Sequence, residues 1–427
     1  MVIRFYNARI LSLVDDEQLI EGELWTEDKR ITYVGPKVEE SSRPAFTREI
    51  DLCGNLILPG FKNAHTHSAM TFLRSLADDM PLLDWLEKQI FPREAQLKPS
   101  DIYWCTQLAI LEYLSSGITA AFDMYFFPEQ YANACIDMGF RSVMVSGLNK
   151  FGPTLEEQKA NYLRFNDYHP LINYHLGFHA EYTCPLELLE GIAKLAEELE
   201  APVYTHNSET FSEVEGCKER YNGLTPTQLF DQLGIYNYGG GGYHCVYLDD
   251  KDMDIFQKRH LTVVSNPASN SKLASGIPSI SELQKRNINI AIGTDGPASN
   301  NSLDMFKEMY LLNVLAKLKE KDASAIKAES VVRMACSNGA KAMCLNEADS
   351  LQPGKLADLC VLDLQQPNMQ PLNNIVKNIV YAGNKSNVKL TMIDGKIVYE
   401  NGNYPLMPDV ERIYYEANAV IKRMLAE

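Results

Sequence analysis

Five of the eight histidines lie at or near the predicted ends of buried strands, and they carry most of the chemical information in the sequence. Two of them, His65 and His67, form an H-T-H motif directly after the first such strand. Because side chains two residues apart on a strand point to the same face, both imidazoles can reach one metal ion. By itself the pair also fits two ordinary polar residues at a strand end.

Two more side chains suited to metal binding close other predicted strands. His206 ends the fifth strand and Asp295, in the GTDGPASNNS segment, ends the eighth. Three imidazoles and one carboxylate, with a position open to water, suit catalytic Zn²⁺ and also accommodate Fe²⁺. We therefore predict that His65, His67, His206 and Asp295 bind one divalent ion, with Zn²⁺ preferred.

A hydrolytic step also needs groups that move protons. Glu209 follows His206 in the sequence H-N-S-E, where a partly shielded carboxyl can hold a proton at pH 7 and deliver it to a substrate nitrogen. The alternative is a solvated acid at the start of a helix. His244, in the sixth strand, either orients the attacking hydroxide or is a buried structural histidine, and Asp295 would accept the proton of the water. His179, at the end of the fourth strand, is placed to hydrogen-bond a heterocyclic nitrogen or a hydroxyl.

These residues need a scaffold that brings strand ends together, and the middle of the chain predicts one. Short apolar strands alternate there with longer amphipathic helices. The eight predicted strands are residues 61–65, 118–124, 141–147, 172–178, 202–206, 242–246, 261–265 and 289–294. Eight βα units in about 250 residues predict a (β/α)₈ TIM-type barrel, whose catalytic groups gather at the C-terminal strand ends. The alternative, an open doubly wound sheet, lacks the G-x-G-x-x-G motif of a dinucleotide site.

The two ends of the chain share a different pattern, that of short alternating antiparallel strands. It occupies residues 1 to about 51 and returns in the segments LADLCVLDL, VKNIVYAG, NVKLTMID and GKIVYENGNY. We predict a composite β-sandwich domain from residues 1–56 and 355–427, with a C-terminal helix, and a catalytic barrel from residues 57–354. The glycine run at 239–242 is interpreted as a flexible lead-in to the sixth strand, because no helix follows it as in a phosphate-binding loop.

The amino-acid composition argues against some classes of binding partner. The 427 residues include 40 basic and 56 acidic side chains, a net charge of −16, which argues against binding to nucleic acid or an anionic membrane. Apolar stretches are broken before the ~18 residues that a membrane span requires. The N-terminal sequence lacks the features of a secretion signal, and nine scattered cysteines without a C-x-x-C pair indicate reduced thiols. We therefore expect a cytoplasmic protein that acts on a neutral or cationic small molecule.

Several segments together resemble the amidohydrolase superfamily and, more narrowly, its 5-methylthioadenosine/S-adenosylhomocysteine deaminases. They are PGFKNAHTHSAMTFLR, DMYF at 123–126, HNSE at 206–209, HCV at 244–246, SNPASNSKLASG at 265–276 and GTDGPASNNSLDMF. The resemblance extends over essentially the whole chain, including the closing segment PGKLADLCVLDL. It implies a barrel with a composite β-sandwich and the same four ligands around one divalent metal.

The resemblance also implies an activity. In similar deaminases, hydroxide attacks C6 of an adenine ring, the residue equivalent to Glu209 protonates a ring nitrogen, and ammonia leaves. His244 is implied as a second catalytic partner and His179 as a substrate contact, while Trp85 and Glu94 are placed near the nucleoside sugar. For Trp85 the alternative is a core position on an amphipathic helix. A dimer or tetramer is also implied.

One departure from the family pattern concerns the substrate. Members that accept S-adenosylhomocysteine use arginines near the end of strand three and in the next loop, where this chain has Ser146 and Thr154. A hydroxyl does not reproduce the bidentate grip of arginine on a carboxylate, and Lys150 is only a point charge. We therefore expect weaker use of S-adenosylhomocysteine than of adenosine-like substrates without a carboxylate.

Two other functions remain open at this point. One is a related amidohydrolase acting on guanine, a pterin, cytosine or a chlorotriazine, because the loops of such barrels vary freely. The other is a catalytically silent scaffold barrel. The completeness of the ligand and proton-transfer set argues against the scaffold.

Overall fold

The computed structural model describes residues 1–14, 19–76, 78–80, 82–407 and 409–426. In chain order, the strands are β1 Val2–Leu11, β2 Leu19–Glu27, β3 Arg30–Gly35, β4 Arg48–Asp51, β5 Leu56–Pro59, β6 Phe61–Thr66, β7 Ile118–Met124, β8 Arg141–Val145, β9 Ile172–Gly177, β10 Val203–Asn207, β11 Gly240–His244, β12 Thr262–Ser265, β13 Asn289–Ile292, β14 Leu359–Leu362, β15 Val388–Ile393 and β16 Lys396–Glu400. They form two sheets, each with eight of these strands.

Helices cover the outside of the second sheet and end the chain. They are α1 Leu82–Trp85, α2 Phe91–Glu94, α3 Pro99–Ser115, α4 Pro128–Asp137, α5 Leu155–Phe165, α6 Leu186–Leu199, α7 Phe211–Arg220, α8 Pro226–Gln232, α9 Asp250–Lys258, α10 Pro267–Lys272, α11 Ile280–Lys285, α12 Met305–Glu320, α13 Ala328–Ala335, α14 Ser337–Ala342, α15 Ile375–Tyr381 and α16 Val410–Ala426. No helix in the described part of the chain has the length and apolarity needed to cross a bilayer.

The second sheet is a parallel barrel made of consecutive strands, β6 to β13. Its first and last strands meet where the N–H of Asp295 donates to the carbonyl of His65 at 3.0 Å and the N–H of Thr294 donates to Asn63 Oδ1 at 2.8 Å. The prediction of a (β/α)₈ barrel is therefore confirmed, and the open doubly wound sheet is wrong. The same closure places the end of β13 beside the end of β6.

The barrel interior is filled by side chains from alternate positions of its strands, which is the usual packing of this fold. This inner cluster contains Ala64, Ala120, Phe122, Met124, Val143, Val145, Tyr204, Tyr243, Val264 and Ala291 from the strands, with Ala342 from helix α14 and Met343 just after it. Strands such as ITAAFDM of β7 are buried along their whole length, because helices cover the outer face of the sheet. Polar residues interrupt these apolar strands at both ends, such as Lys62 and Arg141 near the starts of β6 and β8 and His206 near the end of β10.

Three of the four glycines before His244, at 240–242, belong to strand β11 itself, so the interpretation of the run as a flexible lead-in is wrong for them. A Cβ at Gly240 would lie 1.9 Å from the carbonyl oxygen of Val203, and one at Gly241 would lie 2.5 Å from that of Thr262. The neighbouring strands thus approach too closely for any side chain at these positions. Close backbone packing, rather than flexibility, explains the glycines.

The first sheet is mixed and joins the two ends of the chain in the order β16-β15-β14-β5-β1-β2-β3, with β4 beside β1. The predicted strand in VKNIVYAG is wrong, because this segment forms helix α15. The side chain of Asn374 caps that helix by accepting the N–H of Lys377 at 2.8 Å. Its buried β-branched residues at 375, 376, 379 and 380 have helical spacing. The domain limits at residues 56/57 and 354/355 stay a prediction.

Candidate active site

Three barrel strands, β6, β10 and β13, bring the predicted ligands to one point. The ligand atoms of His65, His67 and His206 all lie within 4.8 Å of one another. Asp295, just past β13, places its Oδ1 atom 3.6 Å from His65 Nε2 and 3.3 Å from His67 Nε2. These groups come from strand ends far apart in sequence that share one rim of the barrel. His244 joins the cluster, since its nearest ligand atom lies within 4.8 Å of those of His65 and Asp295.

The hydrogen bonds of the histidines leave nitrogen lone pairs for a cation. His67 Nδ1 contacts the carbonyl of Met124 at 2.5 Å, and His206 Nδ1 contacts the carbonyl of His179 at 2.7 Å. A carbonyl only accepts, so these Nδ1 atoms carry the proton and the Nε2 atoms remain free to bind metal. Both ring nitrogens of His65 are buried without a partner among the described residues. Buried nitrogens without a hydrogen-bond partner are expected where a metal ion would otherwise bind. The residues present therefore fit a divalent cation.

Electrostatics favour the ligand forms of these groups. Burial lowers the pKa of His65 and of His206 well below the ordinary value, and the neighbouring imidazoles lower it further, so both rings are neutral. Burial raises the pKa of Asp295, but His244, His67 and two serine hydroxyls outweigh it and hold the pKa below its ordinary value. The site therefore combines neutral His65 and His206 with an ionised Asp295, which are the protonation states that metal binding requires.

Glu209 is buried beside the cluster, so its alternative as a solvated acid is wrong. Its Oε1 atom accepts a hydrogen bond from Ser275 Oγ at 3.0 Å and lies 3.8 Å from His244 Nδ1. The loop that carries Glu209 is held by Glu213, whose carboxylate accepts the N–H groups of Ser208 at 3.0 Å and of Glu209 at 2.7 Å. A proton carrier in this position is shielded from bulk water and fixed in direction.

His244 is held by a neutral side chain and faces two acids. Its Nδ1 atom lies 2.7 Å from Asn270 Oδ1. Burial lowers its pKa, but Glu209, Asp295 and the contact with Asn270 outweigh burial and raise the pKa overall. His244 and Asp295 both have left-handed backbones, with φ of 67° and 57°. Non-glycine residues in this region are strained, and such strain concentrates at functional sites.

The predicted substrate contacts lie at different distances from the cluster. The ring of His179 is centred 4.8 Å from that of His206. Glu94 accepts a hydrogen bond from Tyr125 at 2.8 Å, and the ring of Tyr125 is centred 6.3 Å from that of His67. Trp85 is buried in the main hydrophobic core, as its helical alternative predicts. The roles of these residues toward a substrate stay predictions.

The side chains that stand where the resemblance places arginines make contacts within their own part of the chain. Thr154 caps helix α5, since its Oγ1 atom accepts the N–H of Glu157 at 3.1 Å. Ser146 is buried, whereas Lys150 is exposed and places its Nζ atom 4.8 Å from the centre of the Phe151 ring. Within this segment, Lys150 is thus the side chain that carries a positive charge.

Several neutral residues of the site were not predicted from the sequence. Ser269 and Ser299 donate to Asp295 Oδ2 at 2.6 and 2.8 Å. Asn270 and Ser275 hold His244 and Glu209 as described above. All of these lie in the SNPASNSKLASG and GTDGPASNNS segments, which resemblance singled out as motifs. That was the available signal, because serine and asparagine otherwise look like ordinary loop residues.

Comparison with known proteins agrees with this geometry. Residues 56–398 match the model of the Amidohydrolase family. A 5-methylthioadenosine/S-adenosylhomocysteine deaminase of Thermococcus sibiricus is 39% identical over 90% of this chain and 91% of its own length. The enzyme of that name from Pyrococcus furiosus is 37% identical over 91% of this chain and 93% of its own length.

Solved structures show the same architecture. An adenosine deaminase from Xanthomonas campestris with bound zinc superposes with a TM-score of 0.94 at 30% identity, covering 100% of this chain and 98% of that one. A zinc complex of atrazine chlorohydrolase from Arthrobacter aurescens shares the fold, with a TM-score of 0.89 at 20% identity over 98% of this chain and 100% of that one. Because the family match and the relatives span most of the sequence, the chain belongs to the amidohydrolase family.

Proposed function

We propose that this hydrolase of C–N bonds is a metal-dependent deaminase that converts an adenine nucleoside and water to the inosine analogue and ammonia. The observation that carries the proposal is the convergence of His65, His67, His206 and Asp295 with two buried proton-transfer groups, Glu209 and His244. The names of the relatives, 5-methylthioadenosine/S-adenosylhomocysteine deaminase, support an adenine nucleoside as substrate.

The metal would be held by His65, His67, His206 and Asp295. When bound, a divalent ion supplies Lewis acidity and lowers the pKa of water enough for it to act as a nucleophile near neutral pH. We propose Zn²⁺, with Fe²⁺ as the alternative, because the ligand set is rich in imidazole nitrogen and the Xanthomonas campestris neighbour carries zinc.

Glu209 would deliver a proton to a ring nitrogen of the adenine while water adds to C6. One of its oxygens, Oε1, is engaged by Ser275, so the other oxygen is the one available to exchange a proton with substrate. Protonation of the ring nitrogen neutralises the charge that develops as the ring loses aromaticity. Proton transfer to the exocyclic amine then lets ammonia leave and restores the planar ring.

Asp295 and His244 would act on the water side of the reaction. The Oδ2 atom of Asp295 is held by two serines, so Oδ1 is the oxygen that can accept a proton from water. His244 has its Nδ1 atom engaged with Asn270, which leaves Nε2 to hydrogen-bond the reacting centre. The two groups thus have separate tasks determined by their neutral partners.

We further propose that His179, Glu94 and Trp85 contact the nucleoside, with Glu94 and Tyr125 placed for hydroxyl recognition. The nine cysteines, none of them in a disulfide, support our placement of the protein in the cytoplasm. We also propose a homodimer or tetramer, as the family resemblance implies.

A substrate panel tests the activity. Zinc-loaded protein is incubated with adenosine, 5-methylthioadenosine, S-adenosylhomocysteine, guanine, a pterin and cytosine, and ammonia release is measured. We expect release from the adenine nucleosides alone. Release only from guanine, the pterin or cytosine would replace this function with the related one, and no release from any compound would support the scaffold.

Replacement of the proton carrier tests the mechanism. Glu209→Gln should bind zinc normally and lose at least ~10² in kcat, because it removes the transferable proton and leaves the ligands intact. Glu219→Gln, on the exposed part of helix α7, is the matched control and should keep the kcat of the unaltered protein. Near-normal turnover by Glu209→Gln would contradict the assignment.

A further inference from the structure

One short segment, residues 269–275, contacts all three proposed proton-transfer groups. Ser269 Oγ donates to Asp295 Oδ2 at 2.6 Å, and Ser275 Oγ donates to Glu209 Oε1 at 3.0 Å. Between them, Asn270 Oδ1 meets His244 Nδ1 at 2.7 Å. Each contact joins a neutral side chain to a group that would gain or lose a proton.

A buried acid, Glu308, holds the backbone just before this segment. Glu308 is fully buried and accepts the N–H of Ala268 at 3.0 Å and the side-chain amide of Asn300 at 2.8 Å. The backbone N–H of Ser275 donates to the carbonyl of Asn270 at 2.9 Å, which ties the end of the segment to its start. These hydrogen bonds fix the backbone that carries the three contacting side chains.

These contacts are directional in a way that matters for proton transfer. An amide oxygen only accepts, so Asn270 requires the proton of neutral His244 to lie on Nδ1 and leaves Nε2 as the free nitrogen. A serine hydroxyl that donates to Oε1 of Glu209 disfavours a proton on that oxygen and leaves it for the other oxygen. Ser275 and Asn270 are buried, which strengthens both effects.

We propose that Ser275 and Asn270 are positioning residues, which set the proton-bearing oxygen of Glu209 and the tautomer of His244. The proposal rests on the proposed deaminase function and goes beyond it, because neither residue is a metal ligand or a proton carrier. A positioning role affects the chemical step more than binding.

The test compares three substitutions in zinc-loaded protein with adenosine. Ser275→Ala should lose about 10- to 100-fold in kcat, the range expected for a lost charge-assisted hydrogen bond, while KM and zinc content stay near those of the unaltered protein. Ser275→Thr restores the hydroxyl and should recover kcat to within about threefold. Ser271→Ala is the control, because Ser271 lies in the same segment and donates to the carbonyl of Pro267 at 2.7 Å rather than to a proton-transfer group.

A second pair of variants tests the histidine tautomer. Asn270→Asp keeps an acceptor for Nδ1 and should retain more activity than Asn270→Ala. In ¹⁵N spectra of histidine-labelled protein, assigned with His244→Gln, the Nδ1 proton of His244 should persist in Asn270→Asp and be lost or shared with Nε2 in Asn270→Ala. A merely structural role would not move this signal.

The outcomes separate this proposal from the function on which it rests. If the unaltered protein releases no ammonia from adenine nucleosides, the proposed function fails. If it is active but Ser275→Ala keeps its kcat, or changes KM alone, the positioning role is overturned. Should Ser275→Ala fail to fold, Ser275→Cys keeps a weaker donor and must give a kcat between those of Ser275→Thr and Glu209→Gln.

Discussion

The carboxylate of Asp295 has a separate environment for each oxygen. Its Oδ2 atom accepts two serine hydroxyls, and its Oδ1 atom accepts the N–H of Gly296 at 2.8 Å while facing His67. His244 and His67, together with the two serines, hold the pKa of this buried carboxyl below its ordinary value, although burial raises it. The two oxygens therefore differ in their surroundings: Oδ2 is occupied by two hydroxyl donors, whereas Oδ1 has one backbone donor and faces the histidines.

Substrate choice is also decided by single side chains. The hydroxyl of Thr154 caps helix α5, and the ammonium of Lys150 lies over the ring of Phe151. We therefore expect kcat/KM for S-adenosylhomocysteine to be at least about tenfold below that for 5-methylthioadenosine, because neither residue supplies the bidentate grip of an arginine on the carboxylate. The two substrates share the thioether and differ in the amino-acid group, so steady-state kinetics with both isolates that group. Equal values would contradict the expectation.

At the scale of elements, Glu213 holds the loop between β10 and α7 and should make the stability of the fold depend on pH. Burial and the nearby Glu209 raise the pKa of Glu213 from its ordinary value of 4.5 to about 7. A carboxyl whose pKa is higher in the folded state stabilises the fold below pH 4.5, and this contribution is lost as pH rises through about 7.

Relative to Glu213→Gln, the free energy of unfolding of the unaltered protein should therefore fall by roughly 3 kcal/mol between those two pH values. Urea unfolding of the metal-free proteins at several pH values measures this difference. Glu219→Gln, an exposed acid on the same helix, should show no comparable trend. Parallel stability curves for the unaltered protein and Glu213→Gln would show that Glu213 is ionised throughout.

The glycine-rich strand β11 gives a second prediction for an element. Gly240→Ala should destabilise the fold by about 3 kcal/mol or more, because its Cβ would overlap the carbonyl of Val203 and because φ is 126°. Gly239 also has a positive φ, of 85°, but a Cβ there meets nothing within 4 Å. Gly239→Ala should therefore cost only about 1 kcal/mol. Equal losses in urea unfolding would mean that strain in the backbone, rather than contact, explains the glycine run.

Across the whole molecule, a buried ion pair connects the barrel to the mixed sheet. Arg141 at the start of β8 places its Nε atom 2.6 Å from Asp358 Oδ2, just before β14, and both side chains are buried. Asp394, in the turn after β15, lies 3.2 Å from the same guanidinium. The base of the barrel is thereby tied to strands near the C-terminus.

Asp358→Asn should lower the free energy of unfolding by about 3–5 kcal/mol, because it leaves a buried guanidinium short of charge compensation. The exposed pair of Arg164 and Glu129, 2.8 Å apart, supplies the control, and Glu129→Gln should cost less than about 1 kcal/mol. Urea unfolding measures both. A small loss in Asp358→Asn would mean that the remaining acid compensates the guanidinium by itself.

Much of this architecture follows from sequence patterns that depend on local physics. The prediction of a strand at 118–124 coincides with β7, because a fully buried parallel strand is a nearly continuous apolar run. The prediction failed for VKNIVYAG, where β-branched residues suggested a strand but the cap at Asn374 and the helical spacing produced α15. It failed for the glycine run, because the approach of neighbouring strands is not visible in one strand's own sequence.

By itself, the sequence determined the barrel and the kinds of ligand it presents. Parallel strands in chain order end on one rim, so histidines and an aspartate at the ends of the first, fifth and eighth barrel strands can meet there. Only the tertiary structure decided how Glu209, His244 and Asp295 are oriented, because their partners Ser275, Asn270 and Ser269 lie 26 to 66 positions away. A serine or asparagine has no periodicity that marks it as a partner. Its role arises when folding buries it within hydrogen-bond distance of a charged group.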